Sequence, residues 1–202
     1  MARLALVGVG KWGANFLRTL AQSELDQLLV VVSSKSAEQL CSIAQNTATV
    51  LPDVALLKNY VGEVDGVVVA TPPDVRPAIV EQCLRLGFPV LAEKPLASDQ
   101  KASAKLLDLS QSLNVPLLED FIHLYSWPYL TLLEQVGSKR PIAITSSGQG
   151  DGPFRDYSPI SDYGPHDVAM ALNLFGKLPT STRLEIDSVQ GPLAFSAQVE
   201  LD

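Results

Sequence analysis

Residues 162–170 read DYGPHDVAM and hold one of the chain's two histidines, four residues after an aspartate. A proline suits the first turn of a helix, and the residue before it avoids helical geometry. The spacing therefore predicts a helix that opens at Pro165, capped by Gly164, and runs to Phe175, where Gly176 ends it. His166 then lies in the first turn, near the positive end of the helix dipole, which disfavours an imidazolium. A neutral ring there can hydrogen-bond a substrate hydroxyl, and Asp162, just upstream, can orient either that ring or an ammonium group. The same two residues could equally tie a loop to a helix end.

Lys94, in the run Glu93-Lys94-Pro95, is a second candidate for proton transfer. It follows a strand-like PVLAE, at the carboxyl edge where open α/β sheets bind ligands. A lysine there passes a proton to or from a substrate oxygen if burial or neighbouring positive charge lowers its pKa. A solvated turn lysine has the same local sequence.

The third chemical signature is GVGKWG, residues 8–13, directly after a strand and opening a helix. Gly8, Gly10 and Gly13 fit G-x-G-x-x-G, with Lys11 and Trp12 inside the turn. The first glycine allows the tight turn, the second lets a pyrophosphate approach the backbone, and the third lets helix and strand pack closely. The helix N-terminus then presents unpaired N–H groups to the anion. An NAD-selective site ends its second strand with an acid on the ribose 2′-hydroxyl. This chain has Ser33, Ser34, Lys35 and Ser36 there, three hydroxyl donors and a positive charge that suit a 2′-phosphate. The reading favours NADP, with NAD as second choice. Ser36 also suits the N-cap of the following helix.

Short β-branched runs (RLALV, LLVVVS, DGVVVAT, PVLAE, PLLED) alternate with helical patterns (KWGANFLRTLAQ, SAEQLCSIAQ, VRPAIVEQCLRLG, DQKASAKLLDLSQSLN). This βαβ alternation predicts an α/β fold, an N-terminal Rossmann doubly wound parallel sheet over residues 1–120. From residue 121 the pattern changes to a helix over FIHLYSWPYLTLLEQV, a strand-like PIAITSSGQ, a loop GDGPFRDYSP, the helix over PHDVAMALNLF, and strand-like STRLEID and AFSAQVEL. Residues 121–202 are expected to form a smaller, truncated α+β domain with at least three strands. His123 and Tyr125 are candidates to line a substrate pocket, although an interdomain hydrogen bond would explain His123 as well. Arg155 and Tyr157 in the loop are candidate contacts for a hydroxylated ligand.

Fifteen basic residues against 22 acidic ones give a net charge of -7. No basic stripe exists to follow a phosphate backbone, so nucleic acid is excluded as a partner. No apolar run approaches the length of about 18 residues that a membrane span needs. The opening MARLALVGVG reads as a strand, not a leader, so a cytoplasmic location is expected. Cys41 and Cys83 fall in helical patterns without C-x-x-C or metal spacing, and both are expected in the core. No metal is expected.

Taken together, GVGKWG, ATPPD, EKP and D-x-G-x-H resemble the glucose-fructose oxidoreductase/inositol dehydrogenase/rhizopine catabolism (Gfo/Idh/MocA) oxidoreductases over essentially the whole chain. The resemblance implies that Lys94, Asp162 and His166 occupy catalytic positions. It further implies that Thr71, Pro72, Pro73, Glu93 and Lys94 join the glycine turn in holding NAD(P), and that the Lys94–Pro95 peptide is cis. A carbinol/carbonyl pair on a sugar-like or polyol substrate is the implied chemistry. Arg76 departs from the family pattern, where histidine is common, as does Pro89 before the fifth strand, and the second-domain sheet is short. A homodimer through that sheet, burying a mostly polar face or pairing a strand edge, is expected. The alternative reading is a non-catalytic NADP-binding protein with a structural or sensing role.

Overall fold

The structure is a computed structural model. It describes residues 1–137 and 163–176, together with the backbone of 181–186 and 195–200. The chain divides into two compact units, Met1–Asp120 and Phe121–Asp202.

The first unit alternates strands and helices: β1 (Ala2–Val7), α1 (Gly13–Ala21), β2 (Asp26–Val32), α2 (Ala37–Cys41), β3 (Thr49–Leu51), a 3₁₀ segment (Val54–Tyr60), β4 (Gly66–Val69), α3 (Arg76–Arg85), β5 (Val90–Glu93), α4 (Gln100–Leu113) and β6 (Leu117–Asp120). The six strands lie in the order β3-β2-β1-β4-β5-β6, and every pairing is parallel. The chain runs outward from β1 to β3 and then crosses back to β4. The carboxyl ends of β1 and β4 therefore flank the switch point, where such sheets bind ligands.

Successive residues of a strand face opposite sides of the sheet, and both sides here are covered. Ala5, Val7, Val30, Val32, Val67 and Val69 belong to one core cluster, and Leu6, Val31 and Val68 to the other. That is why these strands read as continuous apolar runs. Each fully buried side chain, such as Leu6, Leu17 or Leu84, contributes about 1.5–3 kcal/mol of burial.

The second unit contains α5 (Trp127–Val136), α6 (Gly164–Phe175) and an antiparallel pair, β7 (Ser181–Ile186) and β8 (Phe195–Glu200). The register sets Thr182, Leu184 and Ile186 opposite Val199, Ala197 and Phe195. The Tyr129 hydroxyl of α5 reaches the Met170 carbonyl at 2.9 Å and the Asn173 side-chain oxygen at 2.7 Å, tying α5 to α6.

Several elements differ from those the sequence predicts. The helix expected over residues 121–136 is a 3₁₀ turn, Ile122–Tyr125, followed by α5; extended Ser126 separates them, and Pro128 holds the first turn, the helical place where its missing N–H costs nothing. The helix expected over SAEQLCSIAQ stops at Cys41. The Ser42 hydroxyl donates back to the Gln39 carbonyl at 2.7 Å, a local bond that competes with helix continuation. Cys83 is buried as expected, but Cys41, at the end of that short helix, is exposed. Strand β3 and the 3₁₀ segment over Val54–Tyr60 were not read from the sequence. Tyr163, not Gly164, is the N-cap of α6, and Gly164 is its first residue. Gly176 ends α6 with φ 70° and donates to the Leu172 carbonyl at 2.8 Å. The strand expected over PIAITSSGQ lies outside the described residues.

Candidate functional site

The turn between β1 and α1 separates the work of its three glycines. Gly8 has φ 92°, and a Cβ there would meet Thr71 Cγ2 at 2.7 Å and the Ala70 carbonyl oxygen at 2.9 Å. Gly8 thus takes the left-handed conformation and lets the β1 and β4 ends approach closely. A Cβ on Gly13 would lie 2.1 Å from the Gly8 carbonyl oxygen, so α1 can start only on a residue without a side chain. A Cβ on Gly10 meets nothing within 4 Å.

Open space therefore lies over the middle of the turn, next to exposed Lys11 and Trp12. The N-cap Trp12 makes no side-chain cap and the first turn holds no acidic residue. An uncapped helix N-terminus behind an open glycine is where a pyrophosphate gains N–H donors and dipole. These residues fit a dinucleotide.

After β2, Ser33, Ser34, Lys35 and Ser36 form a tight polar turn. The Ser33 hydroxyl accepts the Lys35 N–H at 3.1 Å. Ser36 is the N-cap of α2, in a reciprocal capping box with Gln39. Its hydroxyl also donates to Glu38 Oε2 at 2.7 Å, which holds that carboxyl below the ordinary carboxylate range. Glu38, which nothing in the sequence singles out, adds a negative charge in the first turn of α2, three residues after Lys35.

The rims after β4 and β5 meet through Arg76. Buried in the first turn of α3, its guanidinium donates to the carbonyls of Thr71, Glu93 and Pro95. Pro72 and Pro73 are exposed beside it, and Thr71 Oγ1 is buried with no hydrogen-bond partner among the described residues. The Lys94–Pro95 peptide is cis. Glu93 is 7% exposed; burial first, then the Asp120 charge, pushes its carboxyl up to about 7 against Arg76 and Lys94. The sequence flagged Arg76 as a departure but not its partners. Asp120 carries only one sequence signal, an acid at the end of a strand-like run.

Within the second unit, the chain's two histidines come together. The rings of His123 and His166 stand edge to face with centroids 4.4 Å apart, and Phe121 packs edge-on to His166 at 6.3 Å. His166 is buried in the first turn of α6, whereas His123 and Tyr125 are exposed. Asp162, Arg155 and Tyr157 lie outside the described residues. Among the described residues no group of three or more His, Cys, Asp or Glu could hold a metal ion, and no helix is long and apolar enough to cross a membrane.

A family model described as "Oxidoreductase family, NAD-binding Rossmann fold" matches residues 2–121. The rhizopine catabolism protein MocA of Rhizobium meliloti is 30% identical over 57% of this chain and 36% of its own length. Inositol 2-dehydrogenase 2 of Saccharopolyspora erythraea is 27% identical over 86% of this chain and 54% of its own. This chain thus spans between about a third and a half of these relatives. Among solved structures, UDP-N-acetylglucosamine 3-dehydrogenase from Acidithiobacillus ferrooxidans superposes with a TM-score of 0.76 at 25% identity, covering 98% of this chain and 65% of that one.

Proposed function

The chain belongs to the Gfo/Idh/MocA oxidoreductase family, with its match over an NAD-binding Rossmann fold, and from that premise we propose that it moves a hydride between a nicotinamide dinucleotide and a sugar-like or polyol carbonyl/alcohol pair. One observation carries the reading: the open Gly10 turn and the Lys94 turn both stand at the carboxyl edge of one parallel sheet. Relatives named for inositol and rhizopine and a structural neighbour named for a nucleotide sugar support the substrate class.

When bound, the nicotinamide supplies the hydride acceptor or donor. In this reading the chain does the rest. Gly8, Gly10, Lys11, Trp12 and Gly13 hold the pyrophosphate, and Thr71, Pro72, Pro73 and Glu93 form the rim beside it. Lys94 holds and moves the proton at the substrate oxygen. His166 and Asp162 are proposed as further catalytic residues, His166 to hydrogen-bond a substrate hydroxyl and Asp162 to orient its ring, both roles resting on the D-x-G-x-H pattern. His123, Tyr125, Arg155 and Tyr157 are proposed contacts to substrate hydroxyls.

NADP is the proposed preference, because Lys35 and the exposed Ser34 hydroxyl offer charge and a donor to a 2′-phosphate, with Glu38 opposing and limiting it. Two free cysteines suit the reducing cytoplasm, where we place the protein. A homodimer through the second-unit sheet completes the proposal, to be checked by light scattering across a concentration range. Absorbance of the reduced nicotinamide, followed with purified protein, NADP(H) or NAD(H), and a panel of keto-sugars and polyols, tests the activity.

A further inference from the structure

Glu93 and Asp120 are register partners at the carboxyl ends of β5 and β6. Register partners on neighbouring parallel strands project from the same face of the sheet, on backbones about 4.8 Å apart. Both residues are more than nine-tenths buried, at 7% and 8% exposure. Each has one carboxyl oxygen, Glu93 Oε1 and Asp120 Oδ2, with no hydrogen-bond partner among the described residues. The other Glu93 oxygen, Oε2, accepts the backbone N–H of Lys94 at 3.0 Å.

Two ionised carboxylates this close repel, and burial penalises each. The charges facing them do not remove the conflict. Arg76, from α3, places its donors on the three carbonyls of Thr71, Glu93 and Pro95 and makes no ion pair with either acid among the described residues. Lys94 offsets the Glu93 charge less than burial and Asp120 oppose it. Glu119, also on β6, adds a third acid, whose Oε1 accepts the Leu96 N–H at 2.9 Å. Burial raises Glu119 and Asp120 as well.

We propose that Glu93 and Asp120 share one proton on the acid side of neutrality, and that Asp120 acts through it as a positioning residue for the Lys94 turn. A single proton answers both unmatched oxygens: protonated Glu93 Oε1 is the donor that the Asp120 carboxylate lacks, while Oε2 keeps the Lys94 N–H. When the proton leaves to solvent, two adjacent buried charges push apart and the turn that carries Lys94 loosens. The pair is a latch, closed in mild acid and opened as pH rises through about 7. Its consequence for catalysis rests on the acid/base reading of Lys94; the shared proton itself does not.

The test is a carboxyl ¹³C NMR titration of the cofactor-free protein, with the Lys94 amide resonance followed in parallel. The expected result is a Glu93 carboxyl titrating near pH 7, coupled to Asp120, and a Lys94 amide shift that tracks the same midpoint. Asp120→Asn moves the Glu93 midpoint down by about one unit or more, and Glu93→Gln abolishes it. Two carboxyls that titrate independently near their ordinary values of about 4 overturn the proposal. So does a Glu93 midpoint that Asp120→Asn leaves in place. The wild-type titration decides alone if either variant does not fold. NAD(P) binding measured on the same samples separates the two readings: ordinary carboxyls with normal cofactor binding sink only the latch, and a shared proton without cofactor binding sinks only the oxidoreductase.

Discussion

The Arg76 guanidinium donates to the backbone carbonyl of Glu93 at 2.7 Å and makes no ion pair with the carboxylate of that residue among the described residues. With its bonds to the Thr71 and Pro95 carbonyls, one buried side chain joins the loops after β4 and β5. Arg76→Ala leaves three acceptors without their donor and is expected to cost roughly 3–5 kcal/mol. Arg76→Lys, without the planar fork, falls between. Denaturant midpoints at constant slope measure both, and a loss under about 1 kcal/mol for the alanine variant would contradict the clamp.

The glycine turn makes a sharper distinction. Gly10→Ala places a methyl in open space, so melting temperature should hold while NAD(P) affinity falls by tenfold or more, about 1.4 kcal/mol. Gly13→Ala drives a methyl into the Gly8 carbonyl and should lower stability and affinity together. Calorimetry and thermal melts on the two variants check this; a Gly10→Ala protein with undiminished affinity would remove the pyrophosphate from the turn.

Stability should depend on pH through Glu93. Its folded carboxyl is raised from 4.5 to about 7, so between those values the folded protein binds more protons than the unfolded chain. The contribution is fully present below about 4.5 and is lost as pH rises to about 7, up to about 3 kcal/mol. Glu93→Gln does not titrate, and its stability should fall less over that window. Chemical denaturation across the range is the measurement, with parallel curves for the two proteins as the contrary result.

Cofactor choice should turn on two opposed charges after β2. Lys35→Ala should narrow the preference for NADP, and Glu38→Gln, by removing the carboxylate held by Ser36, should widen it. Equal affinities of the intact protein for NADP and NAD, by titration calorimetry, would end the 2′-phosphate reading.

The residues explain what the sequence could and could not disclose. Val30, Val31 and Val32 are buried on both sides of the sheet, so the parallel strands stand out as apolar runs. The three-residue β3 has too little length for any period. Gly8, Gly10 and Gly13 were readable because their function is local, set by a strand, a turn and a helix in succession. The Arg76 clamp and the Glu93–Asp120 pair were not, because they depend on which strands become neighbours and on main-chain carbonyls that every residue has. Cys41 and Cys83 looked alike in pattern; only the early end of α2 sets them apart.

The proposed role of Lys94 as the acid/base of nicotinamide-dependent chemistry is tested by comparing wild type with Lys94→Ala. Nicotinamide affinity and turnover on the best substrate of the sugar and polyol panel are measured in the same preparation. That role predicts that in Lys94→Ala turnover falls by roughly 10²–10⁴-fold, with melting temperature near wild type and nicotinamide affinity reduced far less than turnover. Wild-type protein that binds NADP tightly but turns over nothing in the panel, or a Lys94→Ala protein that turns over normally, would contradict it, the first outcome pointing to a binding or sensing role for the cofactor.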